Sequence, residues 1–462
     1  MATIRPFRGL HYNLEHIGDP SAVITQPYDR IHEAEQERYY GLSPYNFVRI
    51  IQGKKTPWDS DADNVYTRAR CYAQTWLAEG VLAREPQPAF YVLEQTYTLP
   101  QPPPLRGGSE GGVPPPLRGG SEGGVCTRRG LSAALQLTRF DEGVILPHER
   151  TLSGPKVDRL NLTRATATVW GHIFILYPDD ENRVNAILQP YLAAHAPLVA
   201  REQVIESAVE QRFWVVRDPQ VIAAVAEEMA PRRNLIIADG HHRYETALNY
   251  RDEMRHMHPD APPDAAFNFT MVTLVSMSDP GLVILPTHRL IHSYGRMDGR
   301  QALERAKEFF DVTPAADRMA MERALAQAES SHPRFGFYDG AYAVLALRDP
   351  GTLERLLPDR APAWRLLDVT VLHELFIERV LGIDKGAIER KENIDYLRDP
   401  QPGYEAVERG EAQFLLLMNA TRIEQVRACT AASERMPQKS TDFYPKVIGG
   451  LVALPVGADE RI

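Results

Sequence analysis

Cysteine is scarce and scattered: Cys71, Cys126 and Cys429 lie far apart, with neither CxxC spacing nor an even count. That makes a disulfide framework or a zinc-thiolate site a poor fit and a reducing compartment a good one. Long basic runs are missing as well, and the formal net charge is −9. Tracking a nucleic-acid backbone needs clustered Lys and Arg, so no nucleic-acid partner is expected, and any anionic ligand must be small and held locally. No stretch approaches about 18 uninterrupted apolar residues, and Met1-Ala2-Thr3-Ile4-Arg5-Pro6-Phe7 lacks the charged-then-apolar plan of a signal peptide. The expectation is a cytoplasmic protein with no membrane partner. Neither a Walker A nor a Rossmann fingerprint stands between a strand and a helix, which removes the common P-loop and dehydrogenase readings.

The 462 residues, 44% of them hydrophobic and 24% charged, suffice for one large or two medium cores. An exact tandem repeat, PPPLRGGSEGGV, fills Pro102 to Val113 and again Pro114 to Val125. Sequence this rich in Pro, Gly and Ser buries too little apolar surface to offset its ordering entropy, so a flexible insertion at 102–125 is expected. Its flanks, Ala89 to Thr98 and Leu131 to Leu137, read as two strands of a hairpin with a lengthened tip. Before them, Val65, Ala69, Tyr72, Trp76, Leu77 and Val81 recur at helical spacing.

Farther on, strands at Val169–Tyr177 and Asn234–Ala238 alternate with helices at Val221–Met229 and Tyr244–Met257, the last with apolar positions 244, 247, 248, 254 and 257. Phe269–Ser276 and Leu282–Leu285 read as strands joined by an Asp279-Pro280-Gly281 turn, and Asp339-Gly340 as a hairpin turn between Phe335–Tyr338 and Tyr342–Leu347. A helix at Val369–Leu381 and a strand at Phe414–Met418 follow. The pattern predicts an α+β (mixed α/β) fold, mixed sheets with flanking helices. A soft boundary near residue 295 separates a 1–295 α/β region carrying the candidate phosphate site from a 296–462 α+β region, unless the two form one integrated domain.

The sharpest local feature is the apolar run ending at Ala238, followed by Asp239-Gly240-His241-His242-Arg243-Tyr244-Glu245. A strand passing through glycine into a helix has anion-site geometry: helix-start N–H groups lack partners, the macrodipole is positive there, and glycine lets a ligand approach the backbone. Arg243 and the imidazoles add donors, while Asp239 is a candidate helix cap, histidine partner or magnesium ligand. Adjacent histidines on a helix point about 100° apart and do not readily share one metal ion. A second polar constellation, His148 to Arg159, offers Lys156 and Arg159 for phosphate oxygens and Glu149 as a general base. Two further ones are Pro286-Thr287-His288-Arg289 and Lys439-Ser440-Thr441-Asp442-Phe443-Tyr444-Pro445-Lys446. For each of these three, a solvated or merely structural role is the competing reading.

Several motifs together resemble the domain of unknown function 1015 family: Pro27-Tyr28-Asp29, HERTLSGPKVDR at 148–159, ADGHHRYETAL at 238–248, LPTHR at 285–289 and MPQKSTDFYPK at 436–446. The resemblance spans nearly the whole chain and implies no assigned activity. Asp239 to Glu245 is also similar to the Gly-Cys-His-Arg-Tyr-Glu turn of sulfiredoxin, which belongs with ParB and free-serine kinases in one nucleotide-using fold. That likeness covers some ten residues and implies a ParB/sulfiredoxin-like core around 234–257, with His242 and Arg243 on phosphate. His241 stands at the place of the sulfiredoxin cysteine, which excludes sulfinic-acid chemistry.

The resulting expectation is a small-molecule phosphotransferase. A nucleotide (ATP, ADP or CTP) and Mg²⁺ serve as cofactors, and a small anionic or hydroxyl-bearing metabolite, serine-like by the kinase resemblance, is the partner. The catalytic candidates are His241 as donor or acid, Glu149 as base and Asp239 as magnesium or histidine partner. Gly240, His242, Arg243, Lys156, Arg159, His288 and Arg289 are the phosphate-binding candidates. A phosphatase of phosphoserine-like compounds with His241 as nucleophile, and a nucleotide-binding regulatory module without catalysis, are the alternatives.

Overall fold

The computed structural model describes residues 1–99, 124–149, 154–206, 208–328, 332–390 and 392–462. The inserted repeat, but for its last two residues, and Thr151 to Ser153 lie outside them. The chain forms two compact units with an α+β composition. The first comprises Met1–Pro147, Thr151–Leu282 and Pro445–Ile462, and the second His148–Arg150 and Val283–Tyr444.

Among the described residues, a nine-stranded mixed sheet is the spine of the first unit. Its strands run in the order Ile145–Pro147, Leu235–Asp239, Ile173–Tyr177, Phe269–Ser276, Val125–Gln136, Phe90–Thr98, Glu210–Val216 and Leu198–Arg201, with Ile4–Arg5 paired onto Val125–Gln136. Phe90–Thr98 and Val125–Gln136 are the expected hairpin, antiparallel from Tyr91 opposite Ser132 to Thr98 opposite Val125. Ile173–Tyr177 and Leu235–Asp239 are near-continuous apolar runs because they are buried in the sheet interior. Ile173, Ile175, Leu235 and Ile237 share a core with Val225, Met229 and Tyr244 from the helices Pro219–Met229 and His241–Met257. Each such side chain contributes roughly 1.5–3 kcal/mol on burial. A second cluster joins the Val65–Ala78 helix, through Ala69, Ala73 and Trp76, to Leu162 and Trp170.

In the His241–Met257 helix the buried positions include 244, 247, 251 and 254, as its period requires, but Met257 is exposed in the last turn. The turn at 279–281 does not close a hairpin. Phe269–Ser276 pairs with Ile173–Tyr177 and Val125–Gln136, whereas Val283–Leu285 pairs with Asp442–Tyr444 in the second unit. Asp279 caps the bend, accepting from Gly281 N at 2.8 Å and Arg129 N at 3.2 Å. Gly281 is pressed against the neighbouring backbone, where a Cβ would meet the Thr127 carbonyl oxygen at 2.2 Å. The chain therefore leaves the sheet instead of doubling back.

In the second unit a six-stranded antiparallel sheet runs Phe310–Ala315, Tyr342–Leu347, Arg334–Tyr338, Ala412–Leu417, His288–His292 and Ile394–Leu397 among the described residues. The Asp339-Gly340 hairpin is as expected, with Gly340 at φ +104. Helix at 369–381 is present, but its centre, Leu372–Val380, winds as a π-helix after a short α-turn at Asp368–Val371.

Candidate functional site

Leu235–Asp239 delivers its last residue to the rim of the sheet, and the chain turns through Gly240 at φ +94 into the His241–Met257 helix. Gly240 occupies the N-cap position and supplies no side-chain cap. Asp239 does not cap this helix either. Its carboxylate accepts from Arg243 and, at 3.4 Å, from Lys446 Nζ. Arg243 folds back over Gly240 and also donates to the His172 carbonyl. A Cβ on Gly240 would meet Arg243 Nε at 3.0 Å. Gly240→Ala therefore combines left-handed strain with displacement of the guanidinium, and should lower unfolding stability by about 1–2 kcal/mol in urea denaturation. A stability equal to that of the unsubstituted protein would contradict this.

The charges of the turn are arranged in layers. Burial pushes the Asp239 carboxyl up, but Lys446, Arg243 and His241 outweigh it and hold it below the ordinary carboxylate range. Burial pushes His242 down, helped by Lys156 and Arg243 and opposed by Glu245 and Asp29. His242 is half-buried, whereas His241 is buried. Lys156 and Arg159 lie on the Gly154–Thr166 helix packed beside the His241–Met257 helix. Lys156 forms an ion pair with Glu245. Arg159 pairs with Asp158, donates to the Ile51 carbonyl at 2.8 Å and lies 4.1 Å from the centre of the Tyr28 ring. Burial raises the Tyr28 phenol, with Arg243 and Arg159 opposing and Asp29 and Asp239 reinforcing, so Pro27-Tyr28-Asp29 belongs to the same neighbourhood.

Asp239, Gly240, His241, His242, Arg243, Lys156 and Arg159 are thus gathered in the first unit. Glu149, His288 and Arg289 belong to the second, where they form a different assembly. Glu149 Oε1 accepts from Ser440 N, Thr441 N and the Thr441 hydroxyl, each at 3.2 Å. His148 Nε2 meets that hydroxyl at 2.7 Å. Arg289 is fully buried, donating to the carbonyls of Thr287 and Lys439 and to His373 Nε2 at 3.2 Å. His288 is buried beside it and Nδ1 accepts from Met418 N at 3.3 Å. The HE, THR and KSTD motifs meet there although they are widely separated along the chain.

Beside the turn lies a small cavity, lined by Trp170, Tyr250 and Phe269 among other apolar groups and by Arg159, Arg243, His172 and Thr270 among polar ones. Sequence reasoning singled out neither Trp170 nor His172. A lone histidine within the apolar stretch 169–177 carries no local signal of a ligand. Lys446 stood in a polar cluster whose link to Asp239, 207 positions away, is invisible in the sequence. Among the described residues no group of three or more His, Cys, Asp or Glu could hold a metal ion, and no helix is long and apolar enough to cross a membrane.

A family model described as "Protein of unknown function (DUF1015)" matches residues 4–107 and 120–370. No curated protein matches the chain. Among solved structures, a conserved hypothetical protein from Pyrococcus furiosus is similar at 14% identity and a TM-score of 0.33, covering 69% of this chain and 94% of that one. A free serine kinase in complex with AMP is similar at 15% identity and a TM-score of 0.34, covering 69% and 90%. SbnI with a C-terminal truncation, from Staphylococcus aureus, stands at 10% identity and a TM-score of 0.32, covering 70% and 87%.

Proposed function

The chain belongs to the DUF1015 family of proteins of unknown function, and for this member we propose a small-molecule phosphotransferase that uses a nucleotide, its phosphates held at the Asp239–Arg243 turn. The observation that carries the reading is the left-handed Gly240 opening the His241–Met257 helix, with Arg243 folded over it and Lys446 beside it. A side-chain-free N-cap leaves room for an anion to lie against the helix start, where the macrodipole favours it. Arg243 and His242 contact phosphate oxygens, each charge-assisted bond contributing about 1.5–3 kcal/mol. Asp239 positions Arg243 and Lys446. Lys156 and Arg159 add positive charge on the neighbouring helix.

Asp29 is preferred as the base that activates the acceptor hydroxyl. It is exposed and within electrostatic reach of His242, whereas Glu149 Oε1 is already occupied by three hydrogen bonds in the second unit. Asp239 fits a magnesium ligand poorly, because its two oxygens already face Arg243 and Lys446, and no step is assigned to a metal at that residue. The burial of His241 disfavours the phosphatase reading, which needs that imidazole as an accessible nucleophile.

The test is ³¹P NMR of the purified protein with Mg²⁺ and ATP, ADP or CTP, with and without L-serine and a panel of hydroxyl metabolites. A new phosphomonoester signal is expected, formed at least 100-fold more slowly by His242→Ala and by Asp29→Asn. Nucleotide lines that broaden without any turnover would overturn the transferase reading in favour of a regulatory module.

A further inference from the structure

Two residues of the cavity lining carry a buried polar atom without a hydrogen-bond partner among the described residues. His172 and Thr270 are 3% and 0% exposed, and among the described residues neither His172 Nε2 nor Thr270 Oγ1 has a hydrogen-bond partner. Both residues line the cavity: Thr270 lies in the strand Phe269–Ser276, and His172 immediately precedes the strand Ile173–Tyr177 that pairs with it. Buried polar atoms are overwhelmingly paired in folded proteins, so two orphans in one cavity call for a ligand group.

The chemistry of the lining narrows the ligand. Among the described residues its charged lining consists of Arg159 and Arg243, with no Asp or Glu, which disfavours an amine and favours an anionic end. Burial, reinforced by Arg243, lowers His172 to about 3, so the imidazole is neutral. Its Nδ1 meets Thr273 Oγ1 at 2.9 Å, leaving Nε2 as one neutral donor or acceptor, while the Thr270 hydroxyl can act in either sense. Trp170 is fixed by Nε1 donating to Thr166 Oγ1 at 3.0 Å, and Tyr250 and Phe269 supply further aromatic surface. Flat apolar walls with a neutral hydrogen-bonding edge suit a ring carrying heteroatoms better than a flexible chain or a compact polar molecule such as serine.

We infer that this cavity binds a planar heteroaromatic ring joined to an anionic group, with the ring against the aromatic wall and its polar edge on His172 Nε2 and Thr270 Oγ1. For the position of the anionic end, the inference rests on the phosphate reading of the turn. The ring has two possible sources, the base of the nucleotide or an aromatic acceptor.

Calorimetric titration of the full chain with adenosine, ADP, tripolyphosphate and indole-3-acetate tests it, using the natural protein, Thr270→Val and His172→Phe. A ring-bearing probe is expected to bind, with its Kd raised at least tenfold by Thr270→Val, while the Tm of ligand-free Thr270→Val stays level or rises because an unpaired buried hydroxyl is removed. Binding of adenosine and ADP assigns the ring to the nucleotide, and binding of indole-3-acetate alone assigns it to the acceptor. If tripolyphosphate binds but no ring-bearing probe does, or if ring binding is indifferent to both substitutions, the cavity inference is overturned while the phosphate turn stands. Ring binding without any tripolyphosphate binding would do the reverse.

Discussion

Asp239→Ala is expected to destabilise the protein by about 3–5 kcal/mol, the largest loss from any single change in the turn. The carboxylate sits between Arg243 and Lys446, whose side chains are only 11% and 12% exposed. Removing it leaves two largely buried cations without the carboxylate that lies between them. Arg243 also anchors the turn to the Ile173–Tyr177 strand through the His172 carbonyl, so the loss spreads from the helix start into the sheet. Denaturant unfolding of Asp239→Ala, Lys446→Met and the double variant measures the effect. The double variant should recover part of the loss, since it removes one of the two cations that faced the lost carboxylate. Additive losses would mean that Asp239 acts through backbone geometry and not through charge.

Acidification should weaken the protein through its buried histidines, an effect offset in part by Asp368 and Glu378, whose carboxyls burial raises to about 6. Burial lowers His172, with Arg243 contributing, and lowers His288, with Arg289 and Arg318 contributing, each to about 3. Burial likewise pushes His373 well down, with Arg289 and Lys385 reinforcing it. In the unfolded chain these imidazoles take up a proton near pH 6.5. Between that pH and about 3 the unfolded state holds protons that the folded state refuses, so stability falls as pH falls. The slope is about 1.4 kcal/mol per pH unit for each such histidine. Asp239 behaves in the complementary way: its depressed pKa stabilises the fold above the unfolded carboxylate value near 4, and that contribution is lost only below it. Urea midpoints should therefore drop from pH 6.5 to 5, and His172→Phe should flatten the slope by about one proton. A midpoint constant over that interval would show that the buried imidazoles are protonated in the folded protein.

How much of this was legible in the sequence depends on how local each feature is. The strand, turn and helix around Asp239 are readable because a short apolar run, a glycine and a 3.6-residue period are neighbours along the chain. So is the hairpin, since its strands flank the inserted repeat. Pairings between distant segments are not readable: nothing at Glu149 announces Ser440 and Thr441, and nothing at Asp239 announces Lys446. His172 and Thr270 escape for a subtler reason. Each sits in an apolar stretch where one polar residue is compatible with ordinary packing, and only the cavity they line distinguishes them. The 279–281 turn has suitable hairpin chemistry, yet the close approach of Gly281 to Thr127, a tertiary fact, sends the chain elsewhere.

The second unit is inserted into the first, since the chain returns at Pro445 after leaving at Leu282. Those last residues bring Lys446 to Asp239, Val447 and Gly449 to the cavity wall, and Leu454–Pro455 to pair with Thr168–Val169. On the ribosome, at roughly 5–20 residues per second, the first unit must wait with its cavity unfinished while everything from Val283 to Tyr444 is synthesised. A chain that stopped at Tyr444 would lack the pieces that close the site, so the site is assembled only after the whole of Val283–Tyr444 has been made.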